Sequence, residues 1–249
     1  IVVKPTRESM NIATCNYCKK IHIYIFLSLI FSFGNSLSMI SNVNKLQHIS
    51  SLKNSFFALR HGQSLANVAK IISSNPSIST VEHGLSLEGK TQVSKSAEKF
   101  AQQYLDNLDT QPVAIFSSDF TRARETAEIF ADKLKKSNVP LQYDGFKLET
   151  RLRERFFGDL NGKSDVHYQD VWDIDCQDAN HNEFNCESVN SVVKRTSELV
   201  LEIDNELEKS SQPCKVILVA HGDVLQILQT VFLRKEASVH RSLEHLETA

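Results

Sequence analysis

The chain has 249 residues, with 28 Lys and Arg against 30 Asp and Glu. At a net charge of −2 it lacks the basic field that a nucleic-acid partner would demand. Its 41% of apolar residues is ordinary for a globular protein, and the length suits one large α/β domain or two small ones. The five cysteines (Cys15, Cys18, Cys176, Cys186 and Cys214) are odd in number and widely spread, so they read as reduced thiols rather than a disulfide scaffold.

Residues 1–53 read as an N-terminal extension. Lys19-Lys20 precede an apolar run from Ile21 to Phe33, closed by Gly34-Asn35-Ser36-Leu37-Ser38. That run falls short of the ~20 residues of a transmembrane helix. Counted from Met10 it has the plan of a secretory signal. The preferred alternative is translation from Met39, which implies a cytoplasmic protein; a working signal would instead imply the secretory pathway. Residues 41–54 form a polar linker, and Cys15-Asn16-Tyr17-Cys18 lacks the second ligand pair that zinc would need.

The domain proper is expected over 54–249. Phe56-Phe57-Ala58-Leu59 is a buried strand that stops on Arg60-His61-Gly62-Gln63-Ser64, with Asn67 one turn on. Glycine permits a tight turn and close approach of backbone to a ligand. An imidazole beside a guanidinium at a strand mouth can meet an oxyanion, to which Gly62, Ser64 and Asn67 could donate. Residues 66–82 read as a loop over this site. Ser86 is then a helix N-cap, and Val93, Ala97, Phe100, Ala101 and Tyr104 recur at helical spacing as the buried face.

Pro112–Ser118 is a second strand ending in hydroxyls, followed by a helix that Asp119 would cap and that carries Arg122. A short strand is expected near Leu141–Tyr143, ahead of Arg153-Glu154-Arg155-Phe156-Phe157-Gly158. Residues 165–193 hold seven acids and no Lys or Arg, with His167, Cys176 and His181 among them. No recognised ligand spacing appears, and a solvated acidic cap is the better reading. An amphipathic helix opens at Glu187, and Cys214–Ala220 is a third strand ending on His221-Gly222, a second His-Gly pair.

These segments, in this order, resemble the histidine phosphatase superfamily, which includes the phosphoglycerate mutases. The resemblance covers about residues 56–249. It implies an α/β fold, a three-layer α/β/α sandwich on a mostly parallel sheet, with a cap near 161–190. It implies His61 as nucleophile, Glu154 as proton donor and His221 as the second catalytic histidine. Arg60, Gly62, Ser64, Asn67, Arg122 and Gly222 would bind the phosphoryl group. No metal and no cofactor are implied, because arginines do the work that Mg²⁺ does in kinases. The partner is a small phosphorylated substrate, and neither nucleic acid nor membrane is expected to engage the folded domain. The mutases' paired cap arginines have no counterpart in 165–193, which favours a phosphatase. Mutase-type transfer and a catalytically inactive phosphate-binding domain are the alternatives.

Overall fold

The computed structural model describes residues 52–210 and 212–249. The apolar run at 21–33 and the Cys15–Cys18 pair lie outside them. Four strands form one sheet: β1 (Ser55–Arg60), β2 (Val113–Ser117), β3 (Lys147–Leu148) and β4 (Lys215–Ala220). Their order is β1-β4-β2-β3, and every pairing is parallel. Parallel neighbours need crossovers, and the intervening helices supply them.

The strand sequences alternate between two cores. Phe57, Leu59, Ile115, Ile217 and Val219 face one side, packed by α3 (Leu87–Asp106) and α4 (Thr121–Lys136). Phe56, Ala114, Phe116, Val216 and Leu218 face the other, packed by α6 (Val189–Leu207) and α7 (Gly222–Phe232). This period of two, apolar on both faces, is what a parallel sheet covered by helices requires. The result is the expected α/β/α sandwich. The predicted face of α3 is buried in full, and Ser86 caps it through Gly89 N.

Several local expectations give way. Residues 66–82 contain two short helices, α1 (Leu65–Ala69) and α2 (Pro76–Ser79). Leu141 makes only an isolated bridge to Val113, and the strand lies further on at Lys147–Leu148. Asp119 does not cap α4: its N-cap is Phe120, without a side-chain bond, because the Asp119 carboxylate is held bidentately by Arg153 at 2.8 and 2.6 Å. Ser188, not Glu187, caps α6. Leu52, at the edge of the expected extension, packs into the second core.

The cap contains a further helix, α5 (Tyr168–Asp175), over a small cluster of Ile72, Phe157, Leu160, Val171 and Cys186. Cys176, Cys186 and Cys214 are free thiols. Among the described residues no helix is long and apolar enough to cross a membrane.

Candidate active site

Register decides where the two His-Gly pairs meet. Arg60 of β1 lies opposite Ala220 of β4, and His61 N donates to Ala220 O at 3.0 Å. One residue beyond each strand end, the His61 and His221 rings stand 5.1 Å apart. Ser118, one residue beyond β2, is drawn in by its N–H bond to Val219 O. Three strand ends therefore open on one point, at the carboxyl edge where open sheets take ligands.

His61 is buried, and its Nδ1 lies 2.8 Å from Gly62 O. A carbonyl can only accept, so Nδ1 carries the hydrogen and Nε2 presents a lone pair. Arg122 Nε donates to that Nε2 at 3.1 Å. Burial first, then the Arg122 and Arg60 charges, push the His61 pKa well down, so the ring is neutral.

Arg122, in the first turn of α4, is itself buried and lies beside the Phe120 ring. Its Nη2 donates to Ser73 O at 2.9 Å. Arg60 uses Nη1 on His245 Nε2 and Leu246 O, while its buried Nε has no partner among the described residues. His221 sits against Ser118 Oγ through Nε2 at 2.9 Å, and its buried Nδ1 also lacks a partner there. Burial foremost, with Arg122 next, lowers the His221 pKa. A buried orphan nitrogen is costly unless something outside the chain completes it. Two of them here, beside a lone-pair imidazole and a second guanidinium, describe a seat for an anion.

The two glycines make room for this arrangement. A Cβ on Gly62 would lie 2.5 Å from Gly89 O, and one on Gly222 would lie 3.2 Å from Arg60 Cζ. Gly62 N is taken by Thr126 Oγ1 at 3.2 Å. Ser64 and Asn67 serve each other: the Ser64 hydroxyl donates to Asn67 Oδ1 and accepts from Asn67 N, a reciprocal cap on α1. The Ser64 oxygen is thus committed to the cap, and Asn67 keeps only its amide nitrogen for a ligand.

Glu154 is half-buried and accepts from Arg155 N at 3.0 Å. It makes no ion pair with Arg151 or Arg155, which are held by other carboxylates. Burial, then the Asp223 charge, lift its pKa to about 7 against the pull of Arg122 and Arg60. Asp223 follows His221-Gly222 at the start of α7. Burial pushes its pKa up, but the His240 hydrogen bond and the Arg155 and Arg241 charges overcome that and hold it at about 2.

The acidic cap is not simply solvated. Asp175 is fully buried and receives Arg155 Nη1 at 2.6 Å, Arg155 Nη2 at 2.8 Å and His181 Nε2 at 2.7 Å. Arg155 also reaches Asp223 at 3.4 Å and Glu187 O at 2.6 Å. This cluster ties the cap, the Glu154 segment and α7 together. Sequence reading missed the parts played by Ser73, Asp175 and Asp223. Ser73 acts chiefly through its backbone carbonyl and leaves no signal; the Arg151–Arg155 charge run facing an acid-rich segment was the available clue to Asp175, and the place of Asp223 directly after His221-Gly222 was the clue to it.

All this stands on a wider likeness. The chain matches the histidine phosphatase superfamily (branch 1) over residues 56–249, more than three quarters of its length. It belongs to that superfamily. A histidine phosphatase relative named glucosyl-3-phosphoglycerate phosphatase, from Mycolicibacterium vanbaalenii, is 30% identical over 187 residues, 70% of this chain and 72% of the relative. A broad-specificity phosphatase of Saccharomyces cerevisiae is 27% identical over 175 residues, 69% of this chain and 67% of the relative. Among solved structures, a mycobacterial glucosyl-3-phosphoglycerate phosphatase in complex with VO3 superposes with a TM-score of 0.59 at 28% identity, covering 77% of this chain and 86% of that one.

Proposed function

We propose that this histidine phosphatase is a phosphomonoester hydrolase that works through a phosphohistidine on His61. The carrying observation is the neutral His61 ring, with Nδ1 fixed on Gly62 O and the Nε2 lone pair turned toward Arg122. An anionic nucleophile would be repelled by a phosphate ester; a neutral imidazole is not. Arg60 and Arg122 neutralise the phosphoryl oxygens, and the orphan Arg60 Nε and His221 Nδ1 gain their missing partners there. For His221 to donate from Nδ1, Ser118 must donate to its Nε2, a tautomer the 2.9 Å contact permits.

Glu154, with a pKa near 7, is protonated often enough to hand a proton to the leaving oxygen. As a carboxylate it then takes one from the water that attacks the phosphohistidine. The charge work falls to arginines, so the reading asks for no metal. A cap without Lys or Arg from 165 to 193 is poorly suited to retaining a bisphosphate, which favours hydrolysis over mutase transfer. Small phosphomonoesters, with glucosyl-3-phosphoglycerate as one to try, are the substrate class that the relatives' names suggest.

The test is phosphate release by the full chain from 4-nitrophenyl phosphate, alkyl phosphates and glucosyl-3-phosphoglycerate, beside His61→Ala. The parent should release phosphate and the variant none. Isomer exchange of 3-phosphoglycerate in the presence of its bisphosphate, without release, would replace the reading with a mutase. Turnover by the variant at the parent's rate would remove His61 as nucleophile.

A further inference from the structure

We infer that Tyr168 is an additional catalytic residue of this site, its phenol donating a hydrogen bond to the ester oxygen that departs. The inference rests on the phosphohistidine reading above. Tyr168 opens α5 in the cap, a segment whose acids, rather than its aromatics, dominate the sequence.

Its ring is fixed from two sides. Phe157, three residues after Glu154, meets it edge-on at 4.8 Å between centroids and 77°. Trp172, one helical turn further along α5, stacks on it at 5.3 Å and 8°. The Trp172 position is set in turn: its Nε1 donates to Asp223 Oδ1 at 3.1 Å, and the Arg241 guanidinium lies 3.6 Å from the ring centroid. Asp223 is two residues from His221. The aromatic pair is thus a strut between the cap and the start of α7, with both ends anchored near the catalytic loops.

The strut leaves the phenol hydroxyl as its working end. Among the described residues no protein group hydrogen-bonds to that hydroxyl, although the residue is largely covered. It lies within electrostatic reach of Glu154, Arg122, Asp223 and Arg60, the groups around the proposed anion seat. Arg60 and Arg122 both respond to it in return. Burial foremost, and then Glu154, push the phenol's pKa upward, so it stays protonated and available as a donor. A protonated donor whose ring is held by Phe157 and Trp172, without a protein partner among the described residues and within electrostatic reach of Glu154, is suited to the leaving side of the phosphoryl group. The ester oxygen can take the Glu154 proton on one lone pair and the Tyr168 hydrogen bond on another. No proton leaves Tyr168, and no other group is consumed.

The experiment compares kcat/KM of the parent and Tyr168→Phe on an alkyl phosphate and on 4-nitrophenyl phosphate, with a thermal melt of each. The variant keeps the ring and both aromatic contacts, so the melt should not move. An alkoxide needs help to leave and a nitrophenolate does not. The alkyl ester should therefore lose about 10- to 100-fold, the range for one donor to a charged group, and the nitrophenyl ester little. No loss overturns the inference while leaving the phosphohistidine reading intact, and so does an equal loss on both esters. A parent that releases phosphate from neither ester defeats that reading, and this inference with it.

Discussion

Replacing Glu154 by Gln separates the two halves of the proposed cycle. The substitution keeps shape and the acceptor for Arg155 N, but removes both the proton and the base. In the first half, an alkyl ester needs its leaving oxygen protonated, so kcat/KM should fall by the ~10²–10⁴ typical of a lost general acid. The phenolate of 4-nitrophenyl phosphate departs without a proton, so this ester should still phosphorylate His61. In the second half no base remains to activate water, and the phosphohistidine should accumulate. Rapid mixing should then show a burst of about one nitrophenolate per site, followed by slow turnover.

The pH profile gives a second readout. With Glu154 at about 7, roughly 90% is protonated at pH 6 and roughly 10% at pH 8. Parent kcat/KM on the alkyl ester should therefore drop about tenfold over that interval through this group, and the variant should lose that limb. A Glu154→Gln enzyme that turns over the nitrophenyl ester as fast as the parent, or keeps the alkaline limb, would refute Glu154 in both roles.

Two further outcomes follow from the buried charges. Asp223→Asn removes an anion that helps hold Glu154 up, so the alkaline limb should move to lower pH; an unmoved limb in the kcat/KM profile would rule out that coupling. Asp175→Leu takes the bidentate carboxylate from Arg155 and the partner from His181, leaving Arg155 the longer contact to Asp223 and the Glu187 carbonyl, at a cost of about 3 kcal/mol, or roughly 6–12 °C in melting temperature for a domain of this size. Adding Arg155→Met to it should recover part of the loss, and a calorimetric melt that shows neither effect would argue against a stabilising ion cluster.

What could be read in the sequence was what local pattern dictates. Runs such as Phe56–Leu59 and Val216–Ala220 are apolar on both faces, as strands covered by helices on both sides are, so the residues that end them, His61 and His221, were readable at the same edge of one sheet, although β1 proves to be its edge strand. The spacing of Val93, Ala97, Phe100 and Tyr104 likewise names the face of α3. Asp119 was misread because its partner Arg153 lies 34 positions away, and a bidentate guanidinium outcompetes a helix N-terminus for the carboxylate. Asp175 looked solvated for the same reason: nothing within its own helix reveals that Arg155 reaches it. Ser64 and Asn67 follow His61 by three and six residues, but their hydrogen bonds go to each other at the three-residue spacing of a capping box, which reading them as anion donors passed over. Short-range chemistry shows in the string; long-range ion pairing does not.

The Arg155–Asp175–Asp223 cluster also bears on how molecules get in. A guanidinium with no solvent exposure, shared between α5 and α7, rivets the roof of the site to its floor. Swinging α5 outward would pull those charges apart in a dry interior. Any widening of the entrance by that route carries the cost of unpairing a buried guanidinium, so α5 is held in place over the site by charge as well as by apolar packing.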